Sequence, residues 1–232
     1  GDKDSYLHAD GGAHFWGTLK NDIFVSSKHF WWTLTAGDDV LILDNTGQFG
    51  SIEAPADVGV TWSLEDDTFD YVGEDGNEYT LSVDGDGQLK GLFGHDGDDV
   101  FIGTSGDENF GGRGGYNTVT AGLGEDNFQF WKSKGQLHIT DYESGEEIEF
   151  SDDLGEWSFD FNFEDLASNF SIRFDETTEI TSVVLNTTSL YEKTIVTLDG
   201  EFEFSSLDHI EPDFDNEVIL KLNKVGGSNL IQ

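Results

Sequence analysis

Between Gly94 and Gln129 four nonapeptides follow one another without a gap: GHDGDDVFI, GTSGDENFG, GRGGYNTVT and AGLGEDNFQ. Each has glycine at its fourth place (Gly97, Gly106, Gly115, Gly124), an acid or amide at its sixth (Asp99, Glu108, Asn117, Asp126) and an apolar residue at its eighth (Phe101, Phe110, Val119, Phe128). A glycine-rich hexapeptide turns tightly, because glycine accepts positive φ at no Cβ cost, and its backbone carbonyls are then free to point into the turn. The three residues that follow make a short strand whose middle side chain faces inward, so one apolar residue per unit fills a narrow core. Two units complete a coil. Sixth-place residues 18 apart therefore stack on the same side, Asp99 above Asn117 and Glu108 above Asp126.

That stacking is costly without a counter-ion. Two carboxylates ~4 Å apart repel by roughly 4 kcal/mol at an effective dielectric of about 20. The chain has few cations to offer: 48 Asp+Glu stand against 11 Lys+Arg, a net charge of −37. Such an excess repels phosphate backbones and anionic lipid surfaces, which excludes nucleic acid and membranes as main partners. Disorder is the other common consequence of high charge, but 19 Phe, six Trp and six Tyr argue for a packed core. The absence of Cys removes disulfides and thiolate metal sites. What remains is an all-oxygen cage of the kind a hard cation such as Ca²⁺ takes, with Mg²⁺ fitting poorly because it demands a small octahedral shell. Binding is then coupled to folding, the repeat being loose without metal and rigid with it.

The register resembles the G-G-x-G-x-D-x-U-x repeat of RTX (repeats-in-toxin) proteins, whose parallel β-roll binds calcium. After the repeats, LHITDYESGEEIEFSDD is similar to the segment that closes the roll in RTX domains of secreted metalloproteases and alginate epimerases; Ile139, Asp141, Tyr142, Gly145, Ile148 and Phe150 take its places. The resemblance implies metal-ligating positions at His95, Gly97, Asp99, Thr104, Gly106, Glu108, Gly115, Asn117, Gly124, Asp126 and Asp141. It also implies export by a type I secretion system, with a signal in the uncleaved tail, here Asn216 to Gln232. The chain departs from the pattern in three ways: Glu108 is longer than Asp, Asn117 is uncharged, and the second place is glycine only at Gly122, with His95, Thr104 and Arg113 elsewhere. Two or three ions are expected. Outlying copies at Gly17 to Val25 and Leu34 to Ile42 retain Asp22 and Asp39, each of which is either part of a coil or an acid in an ordinary strand turn.

Elsewhere apolar residues recur at period 2, as in Val58, Val60, Trp62, Leu64 and in Trp157, Phe159, Phe161, Phe163, which predicts half-buried strands. Further strands are expected at Tyr79 to Val83, Phe170 to Phe174, Ile180 to Leu185, Ile195 to Leu198 and Val218 to Leu220, with a short helical turn near Glu164 to Ser168. The expected fold is all-β: a short parallel β-roll over 92–131, an N-terminal β region with degenerate repeats over 1–91, and a C-terminal antiparallel cap over 132–232. No stretch approaches the ~20 apolar residues of a membrane span. The absence of Met, at position 1 as elsewhere, points to a piece of a longer chain.

No nucleophile elbow, P-loop or dinucleotide fingerprint is present, and the six His are scattered, only His8, Asp10 and His14 lying close together. The chain reads as a non-enzyme. In a strand, Phe30 and Trp32 share one face and Trp31 takes the other, so a Trp at position 31 or at position 16 is a candidate to stack on a sugar ring. The functional expectation is a secreted calcium-binding RTX protein with an adhesive or biofilm-matrix role, self-associating in calcium. The alternative is a carbohydrate-binding or targeting appendage of an extracellular polysaccharide-modifying enzyme or protease.

Overall fold

Short strands with one inward side chain each cannot bury a core alone, so they must stack on copies of themselves. In the computed structural model, which describes residues 6–9, 13–26, 30–43, 49–55, 58–85, 88–112, 114–130, 135–151, 167–186, 192–210 and 217–226, they do so in three sheets. A five-stranded sheet runs in the order β1 (Tyr6–Ala9), β3 (Ile23–Ser26), β5 (Asp39–Leu43), β9 (Glu78–Gly85), β8 (Thr68–Val72). A nine-stranded sheet begins with β2 (Ala13–Trp16), β4 (Phe30–Thr33), β6 (Phe49–Glu53) and β10 (Gln88–Phe93). It continues through β12 (Asn109–Gly112), β14 (Asn127–Phe130), β16 (Glu147–Ser151), β21 (Glu217–Lys224) and β20 (Phe202–Ile210). A seven-stranded sheet runs β17 (Phe170–Asp175), β18 (Ile180–Asn186), β19 (Glu192–Asp199), β15 (Gln136–Ile139), β13 (Tyr116–Thr120), β11 (Val100–Ile102), β7 (Thr61–Ser63).

All described residues are thus strand, turn or loop apart from one 3₁₀ turn at 167–169, and the chain is all-β. Within the repeats, successive strands alternate between the nine- and seven-stranded sheets, and each pairs in parallel with the strand one coil later: Phe101 with Val119, Phe110 with Phe128. The parallel ladder also crosses residues 91 and 131, since β10 pairs with β6 on one side and β12 on the other, and β14 with β16. It reaches the outlying copies, where β3 and β5 pair in parallel and set Phe24 against Leu41. Both segments therefore belong to coils. Antiparallel strands then extend the two layers: β21 and β20 beyond β16, and β18 and β17 beyond β19.

The eighth-place residues Phe101, Phe110, Val119 and Phe128 are all fully buried, in one core with Phe24, Trp32, Trp62, Ile139 and Ile148. Two expectations need correction. The run Val58 to Leu64 is a strand only over Thr61–Ser63, and Val58 is exposed, because the chain turns past Asp98 at Gly59 with no room for a side chain there. Positive φ occurs at Gly115 and Gly124 but not at Gly97 or Gly106, so the fourth-place glycines are not all required by backbone conformation. The expected strand at Trp157 to Phe163, Glu164 to Leu166 of the expected helical turn, Arg113, and the tail beyond Gly226 lie outside the described residues. No helix among the described residues is long and apolar enough to cross a membrane.

Candidate metal centre

Sixth-place side chains point into the stack. Asp99, Glu108, Asn117 and Asp126 are all buried, as are Asp22 and Asp39 in the outlying coils. Each of three reaches back one coil: Asp39 Oδ1 accepts the Asp22 amide (2.8 Å), Asn117 Oδ1 the Asp99 amide (2.9 Å) and Asp126 Oδ1 the Glu108 amide (2.8 Å). Asp99 Oδ1 does the same with the Val60 amide (3.0 Å). Fifth-place side chains reach forward instead, Asp98 Oδ1 accepting from the Tyr116 amide and Asp107 Oδ1 from the Glu125 amide. The two rows clamp each coil to the next, and satisfy amides that the turns would otherwise leave unpaired.

In the first and third nonapeptides glycine at the first place makes room for the sixth-place group. A Cβ on Gly94 would fall 1.7 Å from Asp99 Oδ2, and one on Gly112 2.1 Å from Asn117 Nδ2. In these two units the sixth-place group is folded against the first residue of its own turn.

Each acid has a different balance of partners. Glu108 accepts from the Thr104 amide (3.0 Å) and hydroxyl (2.6 Å), and Asp22 accepts from Thr18 in the same two ways. Asp39 Oδ2 accepts from the Tyr71 hydroxyl (3.1 Å). Asp141 spends both oxygens on the amides of Ala121 and Gly122, capping the fourth nonapeptide. Asp99 Oδ2, by contrast, is buried with no hydrogen-bond donor, and Asp126 Oδ2 is buried with only the carboxyl of Glu146 beside it, which donates only when protonated. Burial pushes the carboxyls of Asp39 and Asp99 up to about 7, and raises that of Asp126 as well.

Glu146 was missed at the level of sequence. It is buried one coil below Asp126, its carboxyl is raised by burial and by the charge of Asp126, and it lies close enough to share a proton with that residue. Counting two places back from Ile148, the inward apolar residue of its coil, would have found it.

Among the expected ligands, His95 gives its carbonyl to the Gly114 amide and its ring approaches Asp96 at 3.9 Å. The Thr104 carbonyl accepts from Leu123, while those of Gly97 and Gly106 abut Gly115 and Gly124 of the next coil. The turn carbonyls thus aim along the stack. Among the described residues no three acid or His side chains converge closely enough to hold one ion, so a cation here would draw on paired sixth-place oxygens plus main-chain carbonyls. The donor set is all oxygen, as a hard cation requires, and the donor-free Asp99 Oδ2 and the Asp126–Glu146 carboxyl pair are places where a positive charge would be favourable.

The aromatic candidates separate as the alternation of a strand dictates. Phe30 and Trp32 are buried between layers, Trp31 is half-buried on the outer face, and Trp16 is 64% exposed. A scan against protein-family models gives no match, and neither does a search of curated proteins.

Proposed function

We propose that the chain is a secreted, non-catalytic RTX-type β-roll module that binds Ca²⁺ in its stack of coils, folds on binding outside the cell, and has an adhesive or matrix-building role. The observation that carries this reading is the pair of buried carboxylate oxygens in the stack: Asp99 Oδ2, which meets no donor, and Asp126 Oδ2, which faces only another buried carboxyl, that of Glu146. A buried carboxylate in that position takes either a proton or a cation. With 48 acids against 11 Lys+Arg the chain has little cationic charge of its own to supply. Ca²⁺ suits the geometry because it accepts irregular sets of carboxylate and carbonyl oxygens, whereas Mg²⁺ keeps its waters and an octahedral shell.

The test is circular dichroism during Ca²⁺ titration of chelator-treated protein. A gain of β signal with Ca²⁺, and little with equal Mg²⁺, is expected; no change, or the same change with Mg²⁺, would overturn the proposal. A companion prediction concerns Asp126→Ala, which removes both the buried Oδ2 and the acceptor of the Glu108 amide. The calcium midpoint should rise at least tenfold in that variant, while Glu65→Ala, at an exposed site, leaves it unchanged.

A further inference from the structure

The outer face of the nine-stranded sheet carries an arrangement that the stack of coils does not need. Strand register sets His14 beside Trp31, and Trp16 beside Thr33 and then Glu53, with Phe93 next in the same row. The rings form a continuous run: Trp16 stacks on His14 (4.2 Å, 23°), His14 meets Trp31 edge-on (6.0 Å), and Trp31 lies 4.2 Å from Phe93. Phe93 is buried, filling the space above Gly91 and Gly111, where a Cβ would come within 2.9 Å of its ring, so it backs the run and the rings open to solvent are those of His14, Trp16 and, in part, Trp31. From β2 to β10 this run crosses three strand intervals, about 14 Å.

A chain of hydrogen bonds fixes the rings. Trp31 Nε1 and Thr33 Oγ1 both donate to Glu53 Oε2 (3.1 and 2.8 Å). Because the Thr33 hydroxyl has given its proton to Glu53, it accepts from His14 Nε2 (3.0 Å), so His14 carries its proton there. Glu53 is wholly buried beneath this network. Further along the same face the pattern recurs without aromatics, Asn127 Nδ2 and Gln129 Nε2 both donating to Glu149 Oε2 (2.9 and 3.1 Å).

We infer that this face binds a neutral polysaccharide, with Trp16 and Trp31 stacking on sugar rings and the amides and carboxylates beyond Phe93 meeting hydroxyls. Three observations lead there. Trp16, 64% exposed, does not stand alone but is contiguous with His14 and the half-buried Trp31, and indole faces suit the apolar faces of pyranoses. The rings are held before any ligand arrives, which lowers the entropy cost of binding. The net charge of −37 repels polyanionic glycans, and stacking on Trp16 and Trp31 calls for no charge on the sugar, which favours uncharged polymers. The site is separate from the sixth-place acids, which point into the stack, so its contacts with a glycan do not involve the proposed calcium ligands, although it requires the folded sheet.

The experiment is affinity electrophoresis of protein whose fold has been verified by circular dichroism, in gels containing a soluble β-glucan, a galactomannan or dextran, with alginate and chitosan as charged comparators. At least one neutral polymer is expected to retard the protein. Trp16→Ala and Trp31→Ala should each weaken that retardation at least tenfold, and Leu19→Ala, also exposed but off the ring run, should leave it intact. Trp16 is exposed, so its loss leaves the fold in place. Retardation by chitosan alone, equal retardation of Trp16→Ala, no retardation by any neutral polymer, or a Trp16→Ala effect on sedimentation in place of glycan binding would each overturn the inference. If the calcium titration fails while retardation is seen, only the calcium proposal falls.

Discussion

Metal-free protein is expected to be most stable in mild acid and to lose its stack as the pH is raised towards 8. Asp39 and Asp99 have folded-state values near 7 against an ordinary 3.8, and burial also raises Asp126 and Glu146. Between the ordinary and the raised value the folded chain holds a proton that the unfolded chain has released. Stability from these protonated acids is therefore full below about pH 4, and it is lost as pH climbs through 7. Each titrating acid contributes a slope of up to ~1.4 kcal/mol per pH unit, and several acting together between pH 5 and 7 lose an amount comparable with the 5–15 kcal/mol that holds an ordinary domain together. A fall in melting temperature of more than about 10 °C between pH 5 and 8 should result, measured in chelator. On the calcium proposal the sign of the argument reverses for the ligands, because Ca²⁺ would bind only the ionised carboxylates and so compete with the protons. Saturating Ca²⁺ should flatten the profile and be accompanied by proton release at pH 6 to 7. A metal-free protein more stable at pH 8 than at pH 5 would show that these acids are not protonated in the fold.

The parts of this arrangement that were legible in sequence are those set by strict period. With 18 residues to a coil, the eighth places had to align, and Phe101 above Val119 and Phe110 above Phe128 form the core. The same count paired Asp99 with Asn117 and Glu108 with Asp126. Legibility ended where the period varied. From Phe30 to Gly50, and from Phe128 to Ile148, a coil takes 20 residues; from Ile52 to Leu92 it takes 40. The long coil accommodates the β8–β9 hairpin, which pairs antiparallel at the end of the five-stranded sheet. Loop insertions of this kind cost little, since closure entropy grows slowly with length, but they erase the repeat from the sequence. That is why residues before Leu92 read as a separate β region, and why Glu146 was passed over. The direction of the turn carbonyls was also illegible. It depends on the spacing between coils, which no single nonapeptide encodes.

That spacing makes Gly115→Ala one of the most damaging single substitutions expected, and Gly145→Ala its natural control. Both glycines have positive φ, +71° and +100° respectively, so alanine at either incurs the left-handed penalty of ~1 kcal/mol or somewhat more. The environments differ. Nothing lies within 4 Å of a Cβ at Gly145, whereas one at Gly115 would fall 2.0 Å from the Gly97 carbonyl oxygen of the coil above. That oxygen belongs to backbone and cannot rotate away. Relief requires the coils to part, and parting them stretches the Asn117-to-Asp99 and Tyr116-to-Asp98 hydrogen bonds on either side, at about 1 kcal/mol each, and loosens the contact of Val119 with Phe101. With overpacking itself worth ~1–3 kcal/mol, Gly115→Ala should cost at least about 3 kcal/mol and Gly145→Ala about 1. Denaturant unfolding in saturating calcium separates the two. Equal losses would mean that φ alone explains the glycine at position 115, and that the coils are not packed as closely as 2.0 Å implies.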